Sequence, residues 1–543
     1  MRYQTILLTF TCTLLAIASG HGQAKISGQE QLTKLKAFIL SGDTEISNYN
    51  SACYFALAGE HALAFKYLKA AVQKDGLHQV DMLTQDADFI SLHSDPQWKE
   101  ILKEVAENAK NRKKEDAMFF NRNSFWDSKN LVTAFRPNLS AEEKLAGLSK
   151  FWSEAKYNFV NFDLVPALDI DSLYMAYIPK VRKTNSTKAY YRMLSEFCAQ
   201  LKDGHTNVYP PKELEDEFWS KPLLRPRLIG DKVLIVSIYD PELKKRGINI
   251  GDEVFEVNGL PVKEYARKYV TPYASASTPQ DLDVRSYEYE LLNGSFKEPV
   301  MLTLVDEKGK KTKHSLARIQ PKIRSQKIVN TNFEFKMLKG NIAHVVLNSF
   351  GDEKVARQFA EHFDEISNSN AIIFDVRGNG GGSSAVGWSI LRYLINKPAK
   401  IHQMQSRLYN SAYRAWNYKQ RFYTGENFLN PMPNTYFGKQ VVVLTSGQTY
   451  SAAEDFAGAF KSLGRGKIIG EATGGSSGQP LMIYLPGSGS ARICTKRDKL
   501  GDGGEFIGKG IQPDIIVSPT VADFRKGKDT VLEAAIAQLT ANK

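Results

Sequence analysis

AIIFDVRGNGGGS at residues 371–383 and QVVVLTSGQTYSAAEDFAGAF at residues 440–460 share one order: a short apolar run, a turn of glycines and small polar residues, then a helical pattern. The runs 371–376 and 440–445 are too short for buried helices and rich in Val and Ile, so they predict strands covered on both faces. The first enters a glycine loop and a helix from about Ala385. The second enters Ser-Gly-Gln-Thr-Tyr and a helix from Ser451 to Phe460. Strand, loop and helix, twice over from residue 340 onward, predict an α/β core with ligands expected beyond the carboxyl ends of the strands.

Length places this core among other units. The chain has 543 residues, and at about 150 residues per domain that predicts roughly three to four domains. With 42% hydrophobic and 24% charged residues its composition is globular, which excludes a disordered, collagenous or membrane-filling chain. The net charge of +12 is spread along the sequence. It comes with no basic stripe interleaved with aromatics and no helix-turn-helix or zinc-knuckle spacing, so nucleic acid is not an expected partner.

Met1 and Arg2 precede apolar runs at 5–10 and 14–18, and small residues follow at Ala18, Ser19 and Gly20. A positive start, an apolar stretch too short to span and a small-residue end predict a cleavable export signal over residues 1–22. The expectation is an exported protein, periplasmic in a bacterium or else secreted or at the cell surface, with no integral membrane span after cleavage. Cys12 lies inside the apolar run, not at its end, where a lipid-modified cysteine sits. Cys53, Cys198 and Cys494 are too few, and odd in number, for a disulfide framework. No CxxC or HExxH pattern marks a metal site.

Residues 28–110 read as helices, with apolar residues at three and four spacing in NSACYFALAG (50–59) and ALAFKYLKAAV (62–72) and Gly59 at the turn. Ala52, Ala58, Ala64 and Ala71, facing Tyr54, Phe55, Tyr67 and Leu68, resemble a tetratricopeptide helix pair. One copy is too few for a solenoid, so the reading is a helical cap or a docking module for a protein partner, with a plain bundle as the alternative. The charged stretch 104–127 reads as a linker or solvated helix. Helices resume at Ser140, with Glu143 three residues on as a capping box requires, and end in YYRMLSEFCAQL (190–201) before Asp-Gly-His-Thr. Residues 224–318 change to short alternating strands at 232–238, 252–259 and 299–305, with Gly259 at a tight turn. GINIGDEVFEVNGLPV (247–262) resembles a PDZ domain, which implies an extended peptide added to a sheet edge with its terminal carboxylate held; a small spacer barrel is the alternative.

Two loops carry the candidate chemistry. RGNGGGS (377–383) between a strand and a helix turns backbone N–H groups toward a cavity, which suits a phosphate or the oxyanion of an acyl-transfer intermediate. A phosphate loop carries a Lys at the helix start, and here Ser-Ser-Ala-Val-Gly follows. Ser451 opens the second helix, at the positive end of its dipole, where the N–H of Ala452 is a donor; the alternative is an ordinary N-cap serine. No GxSxG elbow surrounds it.

LKDGHT (201–206), FDVRGNGGG (374–382), LTSGQTYSAAED (444–455), IGEATGG (469–475) and GKGIQPDI (508–515) together resemble the C-terminal processing peptidases and the tricorn core protease, in the family's order, with the PDZ-like segment between the first and second. The resemblance covers about residues 130–540. It implies a crotonase-like α/β core over 330–543, completed by the helical stretch 130–222, and hydrolysis of peptide bonds in protein or peptide substrates by a serine nucleophile matching Ser451. In the processing branch a lysine follows Gly-Glu-Xaa-Thr-Xaa-Gly; here Ser476 takes its place in GEATGGSSG (470–478). In the tricorn-like branch the base is the histidine of Asp-Gly-His, so the resemblance assigns His205 as general base and then acid. Relatives place a carboxylate just before the last motif, where Ile507 stands here; Glu505 is then the residue to orient His205, with Asp502 in reserve. Gly380 or Gly381, together with Ala452, would form the oxyanion hole. Asp375 and Arg377 would fix the loop, and Asn379 would form its turn. No metal or organic cofactor is called for. The competing readings are a noncatalytic peptide- or lipid-binding protein on the same fold, and a scaffold docked through its helix pair.

Overall fold

The computed structural model describes Lys36, Ile39, Leu40 and residues 47–328, 331–433 and 435–541; the export signal expected at residues 1–22 lies outside the described residues. The centre is a six-stranded sheet of β1 (Phe333–Leu338), β2 (Ile342–Leu347), β3 (Ala371–Asp375), β4 (Gln440–Thr445), β5 (Lys467–Gly470) and β6 (Ile515–Ile516), neighbours in that same order. β1 and β2 pair antiparallel, and every later pair is parallel. All five residues of β3 are buried, as a parallel strand covered on both faces demands. Ile372, Ile373 and Phe374 are fully buried there, each contributing about 1.5–3 kcal/mol.

Register brings the two loops together. β3 and β4 pair from Ala371 with Gln440 to Asp375 with Leu444, so their carboxyl ends lie side by side. β3 leads to helix α1 (Ser384–Leu391) and β4 to helix α2 (Ala452–Leu463). Residues Ala452 to Phe460 of α2 are all buried, which explains its Ala and Gly content and makes its two acids, Glu454 and Asp455, costly unless partnered.

Residues 224–316 form an antiparallel sheet with strands Leu224–Ile229, Lys232–Ile238, Glu253–Val257, Val300–Val305 and Lys311–Leu316 in that order. Asn258 and Gly259, both with positive φ, make the tight turn into Leu260–Pro261 that a two-residue hairpin needs. The helix Ala141–Asn158 begins with the capping box, Ser140 Oγ accepting from the Glu143 amide at 3.2 Å and Glu143 accepting from the Ser140 amide at 2.9 Å. The helix Thr187–Ala199 buries Tyr190, Leu194, Phe197 and Cys198 on one face, and its chain then enters the Asp-Gly-His-Thr turn.

The chain divides into two compact units. One holds the described residues up to Ser128 together with Arg392–Ala399 and Asn427–Phe437; the other holds the remainder. In the first, helices Asn48–Leu57 and His61–Gln73 pair around buried Ala52, Ala64, Ala71 and Phe55, whose ring stacks on Tyr67 at 5.3 Å. The charged stretch after 104 continues one helix, Pro96–Asp116, which buries Trp98, Ile101 and Val105 and is solvated beyond them. Among the described residues no helix is long and apolar enough to cross a membrane. Cys53, Cys198 and Cys494 are buried.

Candidate active site

The loop after β4 is laced to the glycine loop after β3. Thr449 Oγ1 donates to Val376 O at 2.9 Å, Ser446 Oγ to Arg377 O at 2.7 Å, and the Tyr450 amide to Asn379 O at 3.0 Å. Asn379 does more than turn the chain: buried, it donates to Leu347 O and accepts from the Gly381 amide, both at 2.9 Å. The result is a fixed edge from which Ser451 projects. Ser451 has φ 56° and ψ −125°, a conformation that side chains avoid, and it stands before the first turn of α2. Gly381 packs so close that a Cβ would lie 2.7 Å from Ser451 Cβ.

His205 arrives from a separate turn. Asp203 Oδ1 accepts from the His205 amide at 3.0 Å and from Thr206 Oγ1 at 2.9 Å, while Oδ2 accepts from Asn161 at 2.9 Å. Gly204 is required because a Cβ would meet Tyr450 Oη at 2.3 Å. The His205 ring is 3% exposed and stacks on Tyr450, with centroids 4.9 Å apart and planes 6° off parallel. Its Nε2 lies 3.0 Å from Ser451 Oγ. Its Nδ1 lies 2.8 Å from Ser476 Oγ and 3.1 Å from Tyr450 Oη, which itself donates to Ser476 at 3.0 Å. Both hydroxyls can accept or donate, so these contacts are compatible with the tautomer that keeps its proton on Nδ1 and turns the Nε2 lone pair toward the serine. Burial, reinforced by the Arg492 and Arg285 guanidiniums, pushes His205 down to about 3, so the ring is a neutral base.

Glu505 is not brought to His205, which corrects the expectation for the orienting acid. Its carboxylate takes Arg497 Nε at 2.9 Å and Lys499 Nζ at 2.8 Å, and the His205 position it was to fill is met by two hydroxyls instead. Asp502, the reserve, accepts from the Gly504 amide in an exposed turn. Gly381 is also corrected as an oxyanion donor, because its N–H is directed at Asn379. Gly380 and Ala452 keep amides that meet no acceptor among the described residues, and nothing lies within 4 Å of where a Gly380 Cβ would be. Arg377 holds Asp375 and Asp529 in two-point pairs, fixing the loop.

Four residues outside the expected set complete the site. Glu454 is fully buried, and its two oxygens accept from Thr473 Oγ1 (2.5 Å) and the amides of Gly475 (2.7 Å), Ser476 (2.8 Å) and Ser451 (3.3 Å). Burial pushes its carboxyl up to about 8, against those donors, which favour the anion. It thereby ties the Ser476 loop to the start of α2. Ser476 and Tyr450 stand in the quoted motifs, and a hydroxyl at the lysine's place was the available signal for the first. Arg492 donates to Asn207 Oδ1 at 2.7 Å and to Gly204 O at 3.3 Å, and nothing in its sequence neighbourhood marks it.

Behind Ser476, His402, Asp455 and Asp498 gather in the interior. Lys496 Nζ and His402 Nε2 reach Asp498 at 2.9 and 2.8 Å. Ser477 Oγ lies 2.8 Å from an oxygen of both Asp455 and Asp498. One hydroxyl proton cannot serve two carboxylates, so one acid is protonated. Lys496 and His402 hold Asp498 low, whereas burial and the Asp498 charge push Asp455 up, making Asp455 the neutral member.

Residues 341–517 match the family model for peptidase family S41. A C-terminal processing peptidase, chloroplastic, from Tetradesmus obliquus is 26% identical over 185 residues, 34% of this chain and 36% of that protein. A carboxy-terminal-processing protease from Bartonella bacilliformis is 34% identical over 94 residues, 17% of this chain and 22% of that protein. The chain thus matches 36% and 22% of the length of these two curated relatives. The solved structure of mature CPAF complexed with lactacystin superposes with a TM-score of 0.59 at 15% identity, over 74% of this chain and 99% of that one, a likeness of fold.

Proposed function

We propose, from the match of residues 341–517 to the family model for peptidase family S41, that the chain is an exported serine endopeptidase acting through an acyl-enzyme. The observation that carries this reading is the 3.0 Å approach of Ser451 Oγ to Nε2 of the buried His205. Ser451 attacks the scissile carbonyl as His205 Nε2 takes its proton, and the amides of Gly380 and Ala452 receive the oxyanion. The imidazolium returns the proton to the leaving amine, and water, activated the same way, releases the acyl group. Ser476 and Tyr450 hold the imidazole in its tautomer and orientation. They bring no negative charge to Nδ1, so the imidazolium is transient. The core over 330–543 is crotonase-like, residues 224–318 are a PDZ-like domain that engages peptide ends, and 28–110 is a tetratricopeptide-like docking module.

Casein and peptide hydrolysis by the mature protein tests the reading beside Ser451→Ala and His205→Ala. Both variants are expected to lose about 10³-fold or more. Undiminished turnover by either variant would remove that residue from the mechanism.

A further inference from the structure

A cavity of about 800 Å³ is walled by strand Asn207–Tyr209, which begins two residues after His205, by the helix Thr187–Ala199 and by residues of the 224–318 region. Its cations are not alike. Lys188 pairs with Glu217 at 3.0 Å and Arg285 with Asp281 at 2.8 Å. Arg318 is enclosed by the carbonyl oxygens of Leu292, Glu298 and Pro299. Arg492 and Arg192 keep unengaged donors. Arg492 uses Nε on Asn207 and Nη2 on Gly204 O, leaving Nη1 without an acceptor among the described residues. Arg192 uses Nη2 on Tyr269 O at 2.5 Å and lies over the Tyr273 ring at 3.4 Å, leaving Nε and Nη1. No described carboxylate comes within ion-pair distance of either; both are half-buried and line the cavity. Of the acids on the wall, Glu217 is held by Lys188 and Lys297, Glu298 is exposed, and burial pushes the Glu290 carboxyl up against the charges of Arg285, Arg192 and Lys221, that of Arg192 acting from beyond ion-pair distance.

A guanidinium with free, partly desolvated donors is built for a carboxylate. We propose that this cavity receives a carboxylate of the substrate peptide, with Arg492 as its contact at the catalytic end and Arg192 as a second contact on the wall. This rests on the peptidase reading above and gives it a substrate class: acidic segments. Arg492 holds the carbonyl of the residue before His205.

Binding is measured by fluorescence anisotropy on the full mature chain carrying Ser451→Ala, which holds peptide without turnover. The probes are fluorescein-labelled peptides of about ten Ala, Ser and Leu residues with two central Glu, their Gln counterparts, and both with free or amidated C-termini. The Glu peptides are expected to bind about 10-fold tighter or more, with the preference falling below about twofold in Arg492→Gln or Arg192→Gln and shrinking as salt is raised. A preference that follows the free terminus and is lost in the same variants keeps the cavity and assigns the carboxylate to the chain end. Equal binding of all four peptides, or a preference that survives both variants, overturns the proposal. Because the readout needs no turnover, it is separate from any failure of Ser451 to hydrolyse.

Discussion

At φ 56° and ψ −125°, Ser451 holds a backbone shape that only glycine adopts freely, and the surrounding loops impose it: its amide donates to Ser476 O at 3.1 Å while Asn379 fixes Tyr450. Such a residue costs about 1–3 kcal/mol. Ser451→Gly is therefore expected to raise the unfolding free energy by about 1 kcal/mol while abolishing hydrolysis, as urea denaturation beside a peptide assay would read. A less stable variant would mean that the conformation is not strained. His205 sets the pH behaviour. Held down to about 3, its ring stays neutral through the ordinary range, so the rate of serine modification is expected to stay level from pH 8 to about pH 5 with no inflection near 6.5. A rate that halves near 6.5 would place the imidazole in solvent. Stability moves with the same shift. Between the folded and unfolded values the unfolded chain binds the extra proton, so this contribution is complete above about 6.5 and is lost as pH falls toward 3.

At the scale of elements, the buried strands were legible because a parallel strand covered on both faces leaves an unbroken apolar run, as in β3 and β4. The serine and histidine turns were legible from their motifs. The partner of His205 was not, because Ser476 and Tyr450 meet at Nδ1 through folding of three separate loops. Glu505 misled for a local reason: a tight turn folds it back across from Lys499, where Arg497 and Lys499 capture it. The α2 acids give a prediction at this scale. Asp455 is the protonated partner of the Ser477 pair, so Asp455→Asn is expected to change stability by no more than about 1 kcal/mol. Asp498→Asn leaves Lys496 and His402 without their anion and is expected to cost about 3–5 kcal/mol. Thermal unfolding of the two variants checks the order; equal losses would contradict the proton assignment.

For the whole molecule, the chain-order reading of domains could not anticipate that Arg392–Ala399 and Asn427–Phe437 join the unit of the N-terminal helices, since both segments sit inside the stretch read as the core. Cys198 and Cys494 are buried, and burial pushes the Cys198 thiol up to about 12. In the folded protein these two thiols are expected to react with a disulfide reagent only after unfolding. Rapid labelling of the native protein at either would show that its core opens locally.

The central claim is that Ser451 is a nucleophile activated by His205. Fluorophosphonate labelling of the folded protein, mapped by mass and run beside Ser451→Ala and His205→Ala, tests it most directly. The expected result is one adduct at Ser451, absent from Ser451→Ala and at least about 10²-fold slower in His205→Ala. A folded protein that takes no label, or an adduct that forms at the full rate without His205, would contradict it.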